Sequence, residues 1–349
     1  MKKWNAEPTC LPETIDTELK KFAERRITME TTNLEIIDRL LSWDKSIEPH
    51  THPDFGAFWQ NFTDAAGGWE APVDRAVFGG VLANCFAYAF AAGYCCALQR
   101  LIPGLPRDTV ACFCITEAGG GHPRAIQSRL AHLGAAANQE CAFTLNGKKK
   151  YITCAAEADL FLVAASDGIR DDGRSSIRMI KVDAGAPGIC IQPMHDIRLV
   201  PEISHASVAF ADVPVSGADL LPGDGFTDYI KPFRTVEDLH VSAAVLGYLF
   251  KAACTYNWGR DVLESILGCI VPVRSLALSR PDAPAAHIVM ADALKKVKAL
   301  FQRLDPLWET AGGDAKQAWD RDKALMDIAD KARAMRLQTA WKYYSALSD

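Results

Sequence analysis

The stretch CITEAGGGHPR, residues 114–124, is the part of the sequence that most narrows the possible folds. Three consecutive glycines leave backbone N–H groups free to approach an anion, so the stretch suits either a phosphate-binding loop or a plain turn between strands. It lacks the G-x-G-x-x-G spacing of a dinucleotide fingerprint, and no G-K-[ST] follows it. The chain also has no G-x-S-x-G elbow of an acyl hydrolase. The glycines alone leave both interpretations open.

The sequence on either side of this stretch changes from helical to strand-like patterning and back. Residues 14–44 and 76–102 have helical spacing. From 111 to about 221, short apolar runs alternate with polar or glycine-containing breaks, which predicts an antiparallel β domain. Because these strands are not interleaved with helices, a doubly wound nucleotide-binding sheet is not expected. Helical periodicity then returns near 226–262, 284–310 and 314–347.

This order predicts an α+β protein of three domains. The expected boundaries are 1–110 for a helical domain, 111–222 for a β domain and 223–349 for a second helical domain. With 49% hydrophobic residues in 349, the chain can bury several cores.

Composition narrows the expected partners and location. A net charge of −5 gives no basic footprint for nucleic acid. The 11 cysteines contain no C-x-x-C pair and the N-terminus lacks the apolar core of a signal peptide, so reduced thiols and a cytoplasmic location are expected. Residues 76–98 carry no charge, but alanine, glycine and cysteine dominate them, which favours a buried helix over a membrane span. We expect no metal site.

Six motifs resemble, in order, those of the acyl-CoA dehydrogenase family of flavoproteins. They are ITEAGGGHP (115–123), LNGKKKYIT (145–153), APGI (186–189), SVAFADVPV (207–215), LLPGDGF (220–226) and AAVLG (243–247). The resemblance implies a helical N-terminal domain, a middle antiparallel β-barrel domain and a shortened C-terminal helical bundle.

The resemblance also implies FAD as cofactor. By the family's motifs, Thr116 would hydrogen-bond the pyrimidine edge of the flavin, Thr153 would lie near its N5 atom and Tyr151 would lie against the ring. Threonine and tyrosine are also ordinary strand formers, so a structural role is the alternative. The implied cofactor-binding residues are Ile115, Thr116, Gly121, His122, Tyr151 and Thr153.

Several positions depart from the family pattern. Ala118, His122 and Pro123 stand where the family has proline, serine and aspartate, and the serine normally helps to hold the pyrophosphate. His122 offers a donor in its place, or is simply an exposed loop residue. The R-x-x-F-G motif is absent, since VLESILG occupies 262–268, and so are the family's A-x-Q-x-x-G-G segment and its distal catalytic glutamate.

Glu237 is the candidate catalytic base. A minority of the family carries its base in an E-R pair ahead of A-A-x-A-L-G. Counting back from AVLG puts Glu237 and Asp238 at that pair, whereas counting forward from GDGF puts Val236 and Glu237 there. Either count loses the arginine. The alternative is an acid that is stabilised only by the helix dipole near a helix N-terminus.

Two functions follow from the resemblance. The first is a FAD-dependent oxidoreductase that carries out α,β-dehydrogenation of an acyl thioester, on coenzyme A or on a carrier protein, with a carboxylate as base. The second is a catalytically impaired subunit or binding protein, with weakened or lost FAD binding. Homo- or hetero-oligomers are expected as the family's form of assembly.

Overall fold

A computed structural model describes residues 34–42, 51–133 and 142–347. The chain divides into two compact units, residues 1–43 and 44–349. In the first unit the described element is helix α1, Glu35–Leu41, which buries Ile36 and Leu40. The rest of the helix predicted over 14–44 lies outside the described residues.

The described residues of the second unit begin at 51 and first form three helices: α2 (Phe55–Ala65), α3 (Pro72–Leu82) and α4 (Phe86–Leu101). The uncharged stretch 76–98 is therefore two helices and not one, because Ala83 and Cys85 have extended backbones that interrupt it. Within the described residues, no helix is both long and apolar enough to cross a membrane.

The small residues of this stretch allow close packing against a later helix. A Cβ at Gly80 would lie 1.8 Å from the carbonyl oxygen of Ala244, and a Cβ at Gly247 would lie 2.0 Å from that of Val77. Only glycine permits such an approach of two helix backbones. The alanine- and glycine-rich composition therefore builds the core of this unit.

Seven strands follow in the part of the chain that the structure describes: β1 (Ala111–Cys114), β2 (Arg129–His132), β3 (Phe143–Thr153), β4 (Leu160–Ile169), β5 (Ser175–Asp183), β6 (Ile189–Pro193) and β7 (His205–Val215). Their order in the sheet is β1-β4-β2-β3-β7-β6, with β5 added to β4. Most pairings are antiparallel, as predicted, but β1 and β2 both run parallel to β4, so the sheet is mixed.

An irregularity in β3 sets up one wall of the candidate site. The pairing of β3 with β7 shifts between Lys149 and Ile152, and Tyr151 within that shift has a φ of +59°. Lys149 and Ile152 are buried, whereas Tyr151 is 58% exposed. The bulge therefore turns an aromatic side chain out of the sheet.

The remaining described residues are mostly helical: a π-helix (Gly225–Ile230), α5 (Lys231–Thr255), α6 (Arg260–Leu278), α7 (Pro284–Leu304), α8 (Gly313–Asp322) and α9 (Asp330–Ser345). Helix α6 is missing from the sequence prediction because Pro272, inside it, interrupts the helical pattern. The predicted fold class, with helices on either side of a β region, is confirmed. The three domain boundaries stay a prediction.

Candidate active site

A buried ion pair fastens the base of the glycine loop to β3. Lys149 Nζ lies 2.7 Å from Glu117 Oε1, and the two side chains are 0% and 7% exposed. Ser128 Oγ donates to the same carboxylate oxygen at 2.8 Å. Burial alone would raise the pKa of Glu117, but the hydrogen bond and charge of Lys149, with further donors, hold that pKa below its usual value. The loop therefore begins from a fully paired anchor.

The same anchor positions Thr116. The backbone N–H of Lys150 donates to the carbonyl oxygen of Thr116 at 2.8 Å, which ties the loop to the bulge of β3. Glu117 and Gly120 then exchange two backbone hydrogen bonds, at 3.1 and 2.9 Å, to close a tight turn. Gly120 has a φ of +102°, which a side chain would disfavour.

At the tip of the loop, the side chain of His122 bonds to the backbone of its own turn. His122 is exposed, and its Nδ1 accepts a hydrogen bond from the backbone N–H of Arg124 at 3.2 Å. This bond caps the short 3₁₀ turn Pro123–Ala125. Pro123 has no N–H of its own. One ring nitrogen of His122 is thus already engaged within the turn.

Tyr151 and Thr153 of β3 open onto a cavity of about 430 Å³. Helix α5 contributes Arg234, Glu237 and Asp238 to the same cavity. Its apolar lining residues are Phe90, Ile197, Leu199, Val200, Val241, Leu325, Met326, Ile328 and Ala329. A few polar groups in a mostly apolar cavity are typical of a small-molecule site.

Glu237 is the unusual group in this cavity. Its side chain is half-buried because it faces the enclosed space, and no hydrogen bond or ion pair reaches its carboxylate from the described residues. Burial and the neighbouring charge of Asp238 raise the pKa of Glu237 to about 7, against an opposing effect of Arg234, Arg333 and Arg336. A carboxylate of this kind takes up and releases a proton near neutral pH.

The position of Glu237 disfavours the helix-dipole explanation. Helix α5 begins at Lys231 and continues directly from the π-helix that ends at Ile230. Glu237 is therefore well inside the helical segment, whereas the dipole acts mainly within the first turn.

Asp238, the adjacent acid, has the opposite environment. It is 6% exposed and pairs with two arginines of α9, at 2.8 Å from Arg333 and in a close contact with Arg336. Its charge is thus compensated by a distant part of the chain. Of the two acids at the position predicted for the base, only Glu237 has a carboxylate with no partner among the described residues.

A buried nitrogen without a partner also belongs to this cavity. His205 of β7 lies beside Thr153 in the sheet and lines the same space. Its Nε2 atom is buried and has no hydrogen-bond partner in the described parts of the chain. Burial lowers the pKa of His205, which favours the neutral ring. Such an atom is satisfied by a polar ligand.

Residues 112–213 match the acyl-CoA dehydrogenase middle domain. The chain is 31% identical over 106 residues to the Bacillus subtilis protein YngJ, described as a probable acyl-CoA dehydrogenase. That match spans 30% of this chain and 27% of the relative. The resemblance to the acyl-CoA dehydrogenase family that the motifs predict is confirmed in this middle region.

Solved structures of the family extend the likeness to nearly the whole chain. Butyryl-CoA dehydrogenase from Megasphaera elsdenii superimposes with a TM-score of 0.60 at 16% identity, covering 96% of this chain and 100% of that one. FMN-bound TdsC from Paenibacillus sp. A11-2 gives a TM-score of 0.62 at 15% identity, covering 83% and 89%. At these identities the likeness shows a shared acyl-CoA dehydrogenase fold.

The structure brings three of the predicted site residues into one cavity: Tyr151, Thr153 and Glu237. The other predicted residues lie beside it. A Cβ added to Gly121 would lie 3.4 Å from Thr116 Oγ1 and 3.7 Å from Arg234 Nη2, so the loop meets α5 at this point. Ile115 is buried, and His122 lies outside the lining of the cavity.

Sequence reasoning missed three of the polar or charged residues that line the cavity, Arg234, His205 and Arg333. Arg234 and Glu237 are three positions apart on one helix, and that spacing places both on one face, so Arg234 had a readable signal. Arg333 and His205 had none, because they reach the cavity only through the packing of α9 and the pairing of β7.

Proposed function

We propose that this protein is a flavin-dependent oxidoreductase of the acyl-CoA dehydrogenase type, which introduces an α,β double bond into an acyl thioester. The observation that carries the proposal is Glu237, an unpaired carboxylate with a pKa of about 7 in the cavity that Tyr151 and Thr153 also line. A base with a pKa near the working pH combines an adequate ionised fraction with an adequate driving force for proton transfer.

The residues present fit a flavin. Tyr151 offers a 58% exposed ring at the cavity, and the orphaned Nε2 of His205 offers a polar contact in it. A Cβ added to Gly120 would meet nothing within 4 Å, and one added to Gly121 nothing nearer than 3.4 Å, so the turn leaves room for a ligand. When bound, the flavin supplies the acceptor for a hydride from the β-carbon.

The chain's own groups handle the proton. The Glu237 carboxylate removes the α-proton of the thioester and keeps it, since burial stabilises the neutral acid. Asp238 stays ionised between Arg333 and Arg336 and so does not compete for that proton. The apolar lining excludes water from the carboxylate, which strengthens the electrostatic interactions around it.

The absorbance spectrum of the purified protein tests this proposal. We expect flavin bands, with FAD as the predicted form, that bleach when an acyl-CoA is added under anaerobic conditions. Glu237→Gln should retain the bands and slow the bleaching by about 10²- to 10⁴-fold, because it removes the base but not the cavity. Glu264→Gln, which alters an exposed glutamate of α6 that does not line the cavity, serves as the matched control.

A second function, a binding protein or a catalytically impaired subunit of a larger assembly, is favoured by one observation. The side chain at the family's serine position, His122, caps its own turn through Nδ1, so only its other ring nitrogen is available to a pyrophosphate. A colourless protein that acquires no flavin on titration would support this second function and contradict the first. Unchanged bleaching in Glu237→Gln would remove only the assignment of the base.

A further inference from the structure

A second cavity, of about 920 Å³, adjoins the first through a shared residue, Arg234. It lies among the end of α4, the start of α5 and the outer helices α7 and α9. Its lining contains four arginine or lysine side chains and two carboxylates, which gives an excess of two positive charges. The chain as a whole has a net charge of −5. The charged lining residues are Arg100, Lys231, Arg234, Arg336, Asp228 and Asp282.

The four cations are not equally available. Arg336 pairs with Asp238, and Arg100 donates to the backbone carbonyls of Ala277 and Ser279 at 3.4 Å. Arg234 is exposed, and no carboxylate or carbonyl in the described parts of the chain pairs with its guanidinium. An arginine that faces two cavities without a partner can bind an anionic ligand at low cost.

The location of Arg234 indicates where such an anion would bind, beside the glycine loop. Its Nη2 atom is 3.7 Å from the position of a Cβ on Gly121, at the tip of the glycine loop. Of the side chains at this tip, His122 has its Nδ1 atom engaged with the backbone N–H of Arg124, and Pro123 lacks an N–H. The guanidinium of Arg234 therefore adds a charged group with several N–H donors beside the glycine loop.

We propose that Arg234 binds a phosphate group of a ligand that extends from the smaller cavity into the larger one. The inference rests on the proposed function, which supplies two ligands with this chemistry: a flavin nucleotide and the phosphopantetheine arm of a thioester. The planar guanidinium matches a phosphate with two parallel hydrogen bonds, which a lysine cannot make. Lys231, also on the larger cavity, adds positive charge.

Paired ligands that differ in phosphate separate the two sources. Binding of FMN and riboflavin, and of coenzyme A and pantetheine, is measured by fluorescence or calorimetry for the wild type, Arg234→Met and Arg234→Lys. Arg234→Met should weaken one phosphate-bearing member by about 10- to 100-fold, as expected for a lost hydrogen bond between charged groups, and leave its phosphate-free partner unchanged. Arg234→Lys should recover part of the loss.

Arg260→Met is the matched control, because Arg260 is an exposed arginine at the start of α6 that lines neither cavity. A loss confined to FMN assigns the phosphate to the flavin, and a loss confined to coenzyme A assigns it to the thioester. If ligands bind but Arg234→Met behaves like Arg260→Met, the inference fails and the proposed function stands. If the wild type binds none of the four ligands, both fail.

Discussion

Two glutamates, the buried Glu117 under the glycine loop and the half-buried Glu237 on α5, have opposite surroundings. Glu117 has a lysine, a hydroxyl and backbone N–H groups around its carboxylate, and its pKa is lowered. Glu237 has no such partner, and its pKa is raised to about 7. The fully paired carboxylate serves the architecture, whereas the unpaired one is poised to exchange a proton. The hydrogen-bond and ion-pair partners of a carboxylate, more than its burial, therefore distinguish a structural acid from a reactive one.

The largest effect is expected when the partner of Glu117, Lys149, is removed. Lys149→Met should destabilise the protein by about 3–5 kcal/mol, because it leaves a buried carboxylate uncompensated. Urea unfolding measures the loss, and adding Glu117→Gln to the same chain should recover part of it. Arg280→Met, which removes an exposed partner of Asp282, should change nothing measurable. An unchanged urea midpoint for Lys149→Met would show that the pair is not structural.

Neutralising the other glutamate should have the opposite sign. Glu237→Gln is expected to raise the free energy of unfolding by on the order of 2 kcal/mol at pH 8, where the wild type holds an ionised, desolvated carboxylate. A raised folded-state pKa favours folding at low pH and loses that contribution as pH rises through about 7. The gain should therefore shrink below pH 7 and vanish below about 4.5, the pKa of the unfolded group. A pH-independent difference would contradict the assigned pKa.

A smaller effect is expected from Asp238, whose charge raises the pKa of Glu237. Asp238→Asn should lower the pKa of Glu237, and with it the midpoint of flavin bleaching against pH, by about one unit, since it removes a nearby like charge. Arg333→Met should shift the same midpoint upward, because that arginine opposes the rise. Two shifts in the same direction would be incompatible with a simple charge effect on Glu237.

The smallest effect is expected at the loop tip. His122→Ala removes one exposed capping hydrogen bond and should cost less than about 1 kcal/mol of stability. If the Nδ1 contact with Arg124 is its main role, flavin affinity should fall far less than in Arg234→Met. Isothermal titration of both variants measures this difference. An equal loss in the two variants would restore His122 as the phosphate contact predicted from the sequence.

Local motifs predicted most of the fold and three of the residues that line the cavity, Tyr151, Thr153 and Glu237. The glycine loop and the LNGKKKYIT strand are contiguous, so Thr116, Tyr151 and Thr153 were identified from residues that are neighbours in sequence. Helix α6 and the break in residues 76–98 were not identified, because an internal proline and a short extended segment are weak local signals. The parallel pairing of β1 and β2 with β4 depends on chain reversal through space, which strand patterning does not encode.

The sequence by itself determined the resemblance to the acyl-CoA dehydrogenase family, most of the order of helices and strands, and the candidate base. Only the tertiary structure decided between Glu237 and its neighbour, since Arg333 and Arg336 come from α9, about a hundred residues further along the chain, to pair with Asp238. It likewise placed Arg234 between two cavities and beside Gly121. The reason is physical: residue type and spacing set what a side chain can do, but its charge state and its free valences depend on which distant groups fold against it.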